Sequence, residues 1–136
     1  DYYIAQVGDS RLYRILDNVV QVTEDQSLVA REVSRGVLTA EEARNHPKRH
    51  VLLQCIGVRP DVELVKSKGH LDKNDSFLLC TDGFYQKITE EELQLYFVEQ
   101  KMTSRECGIN ALQQLTNRAI QRGETDDISA LYIKVI

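Results

Sequence analysis

The chain has 136 residues, 42% hydrophobic and 28% charged, which suits one globular domain able to bury roughly two thirds of its unfolded surface. Its 17 basic and 21 acidic residues leave a formal net charge of -4, with neither sign in a long block. That balance argues against electrostatic binding of nucleic acid or an anionic membrane. No apolar run approaches the ~18 residues of a membrane-spanning helix, and no signal-peptide pattern opens the chain, so a cytoplasmic location is expected.

Tyr2 to Val7 reads as a strand broken by Gly8-Asp9-Ser10. Leu12 to Leu16 and Val19 to Val22 follow as strands around an Asp17-Asn18 turn, and together the three suggest an antiparallel meander. Because Asp1 already lies in strand-like sequence, the chain is expected to be a piece of something longer. Ser27 is placed to cap a short helix to about Arg35, with Leu28, Val29 and Val33 as its apolar stripe and Gly36 as its stop. Thr39 and Glu42 form a capping box for a second helix to about Asn45, ended by Pro47. These helices are expected to make an excursion from the sheet, resembling a lid.

Val51 to Ile56 and Val62 to Lys66 resume the strand pattern, the latter as an edge bracketed by Lys66 and Lys68. Within Ser76 to Gly83, four apolar residues in a row, Phe77 to Cys80, read as a strand buried on both faces, and the run stops at an Asp82-Gly83 turn. Thr89 and Glu92 form another capping box for a helix to about Glu99. Ser104 is placed to cap a longer helix closed by Gly123, with Ile109, Leu112, Leu115, Thr116, Ala119 and Ile120 on one face. Asp127 to Ile136 is the last strand. Strands and helices in this order predict an α+β fold, an antiparallel β-sandwich flanked by helices.

Cys55, Cys80 and Cys107 are odd in number and lack metal-ligand spacing. Cys55 and Cys80 sit in apolar runs and are expected to be buried, reduced thiols. A catalytic cysteine is the sharper reading, but none has the histidine or basic cluster in sequence that would favour a thiolate.

Aspartates stand where strand meets turn at Asp9, at Asp82 and at Asp126-Asp127. The plain reading of each is a turn cap. Carboxylates that converge repel one another, and a divalent cation offsets that repulsion. All-oxygen ligation without His or Cys suits a hard ion, Mg²⁺ or Mn²⁺.

Five blocks occur in order from Val7 to Ser129: Gly8-Asp9-Ser10-Arg11, Thr23 to Val29, Glu42 to Arg49, Leu78 to Gly83, and Thr125-Asp126-Asp127-Ile128-Ser129. They resemble the blocks of the bacterial metal-dependent protein phosphatases, the PPM or type 2C family, and specifically its C-terminal portion. The resemblance implies hydrolysis of phosphoserine and phosphothreonine in proteins by a metal-activated water, with Mn²⁺ or Mg²⁺ as cofactor. It implies Asp82 and Asp126 as ligands of a binuclear centre, Asp9 as a ligand of a third, weaker site, and no catalytic residue beyond the metal ligands. Residues 1–136 would form one part-domain, with a flap at about 27–57 beside the active site.

The resemblance makes His46 a flap residue and His50 a replacement for Asn, both expected to be structural. Asp127 stands where the family has Asn and is expected to cap the last strand. Arg11 is expected to fix the turn after Asp9 through a salt bridge rather than to contact phosphate. The family's N-terminal half, with its first Asp-bearing strand, its Asp-Gly-x-Gly-Gly-type block and its phosphate-binding arginine, has no counterpart in these residues. The expected partners are phosphoprotein substrates of a Ser/Thr kinase, and the missing N-terminal half or a second copy through exposed sheet edges. The alternative is a non-catalytic regulatory or binding module that keeps the fold without the chemistry.

Overall fold

A computed structural model describes residues 1–100 and 102–136. In chain order the strands are β1 (Tyr2–Gln6), β2 (Arg11–Ile15), β3 (Val19–Gln21), β4 (Val65–Gly69), β5 (Ser76–Cys80) and β6 (Ala130–Lys134). The helices are α1 (Leu28–Ser34), α2 (Ala40–Asn45), α3 (Asp82–Tyr85), α4 (Glu90–Gln94), which runs on as a π-helical turn (Leu95–Glu99), and α5 (Arg105–Gln121). The chain divides into two compact units, one of Asp1–Ser10 with Thr23–Gly69 and one of Arg11–Val22 with His70–Ile136.

In the first unit β1 pairs antiparallel with β4, from Tyr2 opposite Gly69 to Gln6 opposite Val65. The Tyr2 ring fills the space that a Cβ on Gly69 would take. This pairing corrects the expected three-stranded meander: β1 leaves β2 for a non-local partner, which local turn chemistry does not encode. Ser27 caps α1 by accepting the Ala30 N–H, and the Thr39–Glu42 capping box opens α2, both as expected. Val51 to Ile56 is not a strand; among the described residues only Leu52 forms a bridge, to Ser27. Cys55 is therefore exposed rather than buried. The edge strand begins later than expected, at Val65.

The second unit is a four-stranded antiparallel sheet in the order β3-β2-β5-β6. Alternation along the strands turns Tyr13, Ile15, Leu78 and Cys80 into a core shared with Phe84, Leu93, Phe97, Ala111 and Leu115. β5 is covered on both faces as far as Leu78, as its apolar run suggested, but Leu79 is 42% exposed on the side it shares with the buried Phe77. Asp75 is fully buried where the chain enters β5. Arg14 from β2 grips it with Nε at 3.0 Å and Nη2 at 2.7 Å, and the Asp72 N–H donates to it at 2.7 Å. Burial alone would raise the Asp75 pKa; the Arg14 hydrogen bonds and the Asp72 amide outweigh it and hold the carboxyl below its usual range.

Of the apolar face expected for α5, Leu115 and Ala119 are buried and Leu112 packs against the core, whereas Ile109 and Ile120 are 43% and 55% exposed and Gly108 and Ala111 are buried instead. Small residues win because the helix lies close to β6: a Cβ on Gly108 would be 2.9 Å from the Tyr132 ring. That ring stacks in turn on Phe97, centroids 5.3 Å apart.

Candidate functional site

The site is built at the end of β5. The chain leaves the strand through Thr81, extended at φ -84° and ψ 168°, and enters α3 directly. Asp82-Gly83 is thus the first turn of a short helix rather than the isolated turn expected. Phe84, at 0% exposure in the core, anchors that helix.

Thr81 spends its hydroxyl on the neighbouring chain rather than on capping α3. Its Oγ1 accepts the Ser129 N–H at 3.1 Å and reaches the Asp127 carbonyl at 3.3 Å, while its own N–H donates to the Ser129 carbonyl at 3.0 Å. Gly83 is buried against the same segment. A Cβ there would lie 2.5 Å from the Asp127 carbonyl oxygen and 3.4 Å from that of Asp126. The pairing of β5 with β6, from Cys80 opposite Ala130, brings these two segments together.

Asp82 is partly buried, and its Oδ1 accepts the Gly83 N–H at 2.9 Å. Asp126 is exposed, and its Oδ1 accepts the Asp127 N–H at 2.8 Å. Glu124 holds the approach to Asp126: its Oε1 accepts the N–H groups of Thr125 at 2.9 Å and Asp126 at 3.0 Å. Asp127 contributes backbone here, its carbonyl facing Thr81 and Gly83.

Asp9 belongs to the first unit, in a turn between Gly8 at φ +105° and Ser10. Among the described residues no three His, Cys, Asp or Glu side chains are grouped so as to hold one ion. Within the second unit the structure brings the Asp82 and Asp126 segments together.

Arg11, opposite Cys80 in the sheet, has its guanidinium carbon over the Tyr85 ring, 3.7 Å from the centroid, and donates to the Tyr13 hydroxyl at 3.0 Å. Burial pushes the Tyr13 pKa up to about 12, against the lowering effect of Arg11. His46 ends α2 and accepts the Lys48 N–H on Nδ1 at 3.1 Å. Cys80 is buried, whereas the half-exposed Cys107 has its pKa lowered by hydrogen bonds from Ser104 and Thr103. Thr81 lies inside the Leu78 to Gly83 block but had no role of its own from sequence, and Glu124 was not singled out. A threonine before Asp-Gly reads as strand, and a glutamate after a helix-ending glycine reads as surface.

Comparison with protein-family models gives no match. The serine/threonine phosphatase stp of Listeria monocytogenes is 32% identical over 132 residues, covering 96% of this chain and 50% of its own length. Stp1 of Staphylococcus aureus, also a serine/threonine phosphatase, superposes with a TM-score of 0.86 at 30% identity, covering 98% of this chain and 51% of that one. The chain belongs to the PPM-type serine/threonine phosphatase family. It spans about half the length of the curated phosphatases it matches first. The catalytic domain of the phosphatase PstP, solved with two manganese ions, shares the fold at a TM-score of 0.73 and 23% identity. The antiparallel sheets and flanking helices described above are about half of the PPM phosphatase fold. Among the described residues no helix is long and apolar enough to cross a membrane.

Proposed function

We propose that this chain works as part of a longer PPM phosphatase that hydrolyses phosphoserine and phosphothreonine in proteins. Asp82 and Asp126 are ligands of its Mn²⁺ or Mg²⁺ centre, and Asp9 is a ligand of a third, weaker site. The supporting observation is the close backbone approach of Gly83 to Asp126-Asp127, which sets two carboxylate-bearing segments side by side.

The donor chemistry fits a hard cation, since both side chains are carboxylates and neither His nor Cys joins them. Two carboxylates fall short of the six or so oxygens such an ion takes, so they form part of a set completed by water and by further carboxylates of the family pattern. When bound, the metal lowers the pKa of a water and neutralises charge on the transferring phosphoryl group. The residues of this chain then have defined tasks. Thr81 and Gly83 hold the two aspartate segments at a fixed separation, and Phe84 locks α3 into the core. Arg11, engaged with Tyr85 and Tyr13, supports the rim of the sheet.

The substrates are phosphoproteins made by a Ser/Thr kinase, the protein acts in the cytoplasm, and residues 27–57, with α1 and α2, form a flap that governs access. The exposed apolar residues Val20, Leu79, Leu131 and Ile133 of the second unit are covered by the other half of the fold or by a second copy.

Hydrolysis of p-nitrophenyl phosphate tests this reading, using the chain alone and the chain joined to the N-terminal half of a relative such as the L. monocytogenes phosphatase. Turnover in Mn²⁺ that disappears in EDTA and in Asp82→Asn is the expected result. Turnover indifferent to EDTA, or undiminished by both Asp82→Asn and Asp126→Asn, would sink the assignment.

A further inference from the structure

The turn that carries Asp9 is held by two glutamine side chains. Gln6, the last residue of β1, is only 8% exposed. Its Nε2 donates to the carbonyls of Gly8 at 3.2 Å and Ser10 at 3.0 Å, one on each side of Asp9. Gln26 takes the other polar group of Gly8: its Oε1 accepts the Gly8 N–H at 2.8 Å, and its own N–H donates to the Gly8 carbonyl at 3.0 Å. Gln26 is itself fixed, with Nε2 donating to the Glu63 carbonyl at 2.8 Å and its carbonyl accepting the Leu53 N–H at 2.7 Å. Gly8 is left-handed at φ +105°, so any side chain there would be strained and the turn would shift.

Gln6 holds this turn with one of its own polar atoms unmatched. Its Oε1 is buried and, among the described residues, accepts no hydrogen bond. An orphaned buried oxygen lowers stability, and an apolar side chain of equal length would avoid that loss. What the amide supplies instead is an Nε2 that bridges the two carbonyls around Asp9.

We propose that Gln6 and Gln26 are positioning residues that preform the Asp9 turn, so that the chain presents this carboxylate before any ion arrives. The inference rests on the reading of Asp9 as a metal ligand. Preformed ligands bind without an ordering cost, and loosening their supports weakens the ion's hold.

The test is nitrogen-15 NMR on the full 136-residue chain with Gln6→Met, Gln26→Met and Gln26→Glu, first in EDTA and then with Mn²⁺ added. In EDTA the wild-type Gly8 amide should be protected from exchange. Gln26→Met should speed that exchange about tenfold or more, and Gln26→Glu, which keeps the acceptor, should restore protection. In Gln6→Met, which gives up both Nε2 hydrogen bonds along with the orphaned oxygen, backbone order should fall at Asp9 and Ser10. Both Met variants should need severalfold more Mn²⁺ to broaden the Asp9 amide signal. A purely structural role would lower the melting temperature and leave that Mn²⁺ dependence alone. A wild-type turn disordered in EDTA, or Met variants with wild-type Mn²⁺ response, would overturn the positioning role. Asp9→Asn separates the two readings. Broadening that survives it removes Asp9 as a ligand, and the positioning role with it; broadening that it abolishes, beside Met variants that behave as wild type, removes the positioning role alone.

Discussion

At Gly83 a single hydrogen atom separates a packed site from a clash. A Cβ would stand 2.5 Å from the Asp127 carbonyl, which is backbone and cannot swing aside. Gly83→Ala should therefore push the Asp82 and Asp126 segments apart and destabilise the chain by roughly 1–3 kcal/mol, read as a lower urea midpoint at unchanged m-value. Arg14 offers a contrasting case. Its partner Asp75 is fully buried, so Arg14→Ala strands a charge instead of merely deleting a contact. The expected loss is about 3–5 kcal/mol by chemical denaturation. Arg14→Ala with Asp75→Asn should recover part of it, since an amide is cheaper to bury than a lone carboxylate.

At the scale of elements, α4 and α5 are joined through one glutamate. Glu92 completes the Thr89 capping box, accepts Arg118 at 2.6 Å, and receives Arg122 on both oxygens at 2.7 and 2.8 Å. The Arg122 hydrogen bonds, working against burial and helped by Arg118 and the Thr89 amide, lower its pKa from 4.5 to about 2. A carboxyl that binds its proton more weakly folded than unfolded stabilises the fold fully above its unfolded pKa. That contribution drains away as pH falls from about 4.5 toward about 2, because the unfolded chain is protonated first. Glu92→Gln should cost on the order of 2 kcal/mol at neutral pH, and its gap from wild type should close across that acidic window. Urea midpoints taken at successive pH values check this; a gap independent of pH would contradict it.

The whole molecule presents apolar residues that its own second unit does not bury. Val20, Leu79, Leu131 and Ile133 are 50, 42, 54 and 44% exposed, and they alternate with core residues along β3, β5 and β6. A sheet face of this kind favours association. Light scattering on the purified chain should show concentration-dependent association that Leu131→Lys with Ile133→Lys abolishes, the melting temperature at low concentration staying within a few degrees. A monomer at all concentrations would mean that this face is tolerated bare.

The features legible in the chain are those that short-range chemistry dictates. Ser27, Thr39, Thr89 and Ser104 each cap the helix they precede, because a side-chain oxygen and an amide three residues on need no other part of the fold. The aspartates at strand ends and the five ordered blocks were legible for the same reason, as residue types at fixed spacing. Tertiary structure alone decided the rest. Val51 to Ile56 has strand composition but finds no ladder, and β1 crosses to β4 instead of β2, since pairing energy comes from partners distant in sequence. Close approach of α5 to the Tyr132 ring is what put Gly108 on the buried side of that helix, where no apolar side chain marks it in the sequence. The same distance in sequence hid how Thr81 and Gly83 fasten the two aspartate segments, because hydrogen bonds across 46 and 48 positions leave no local pattern.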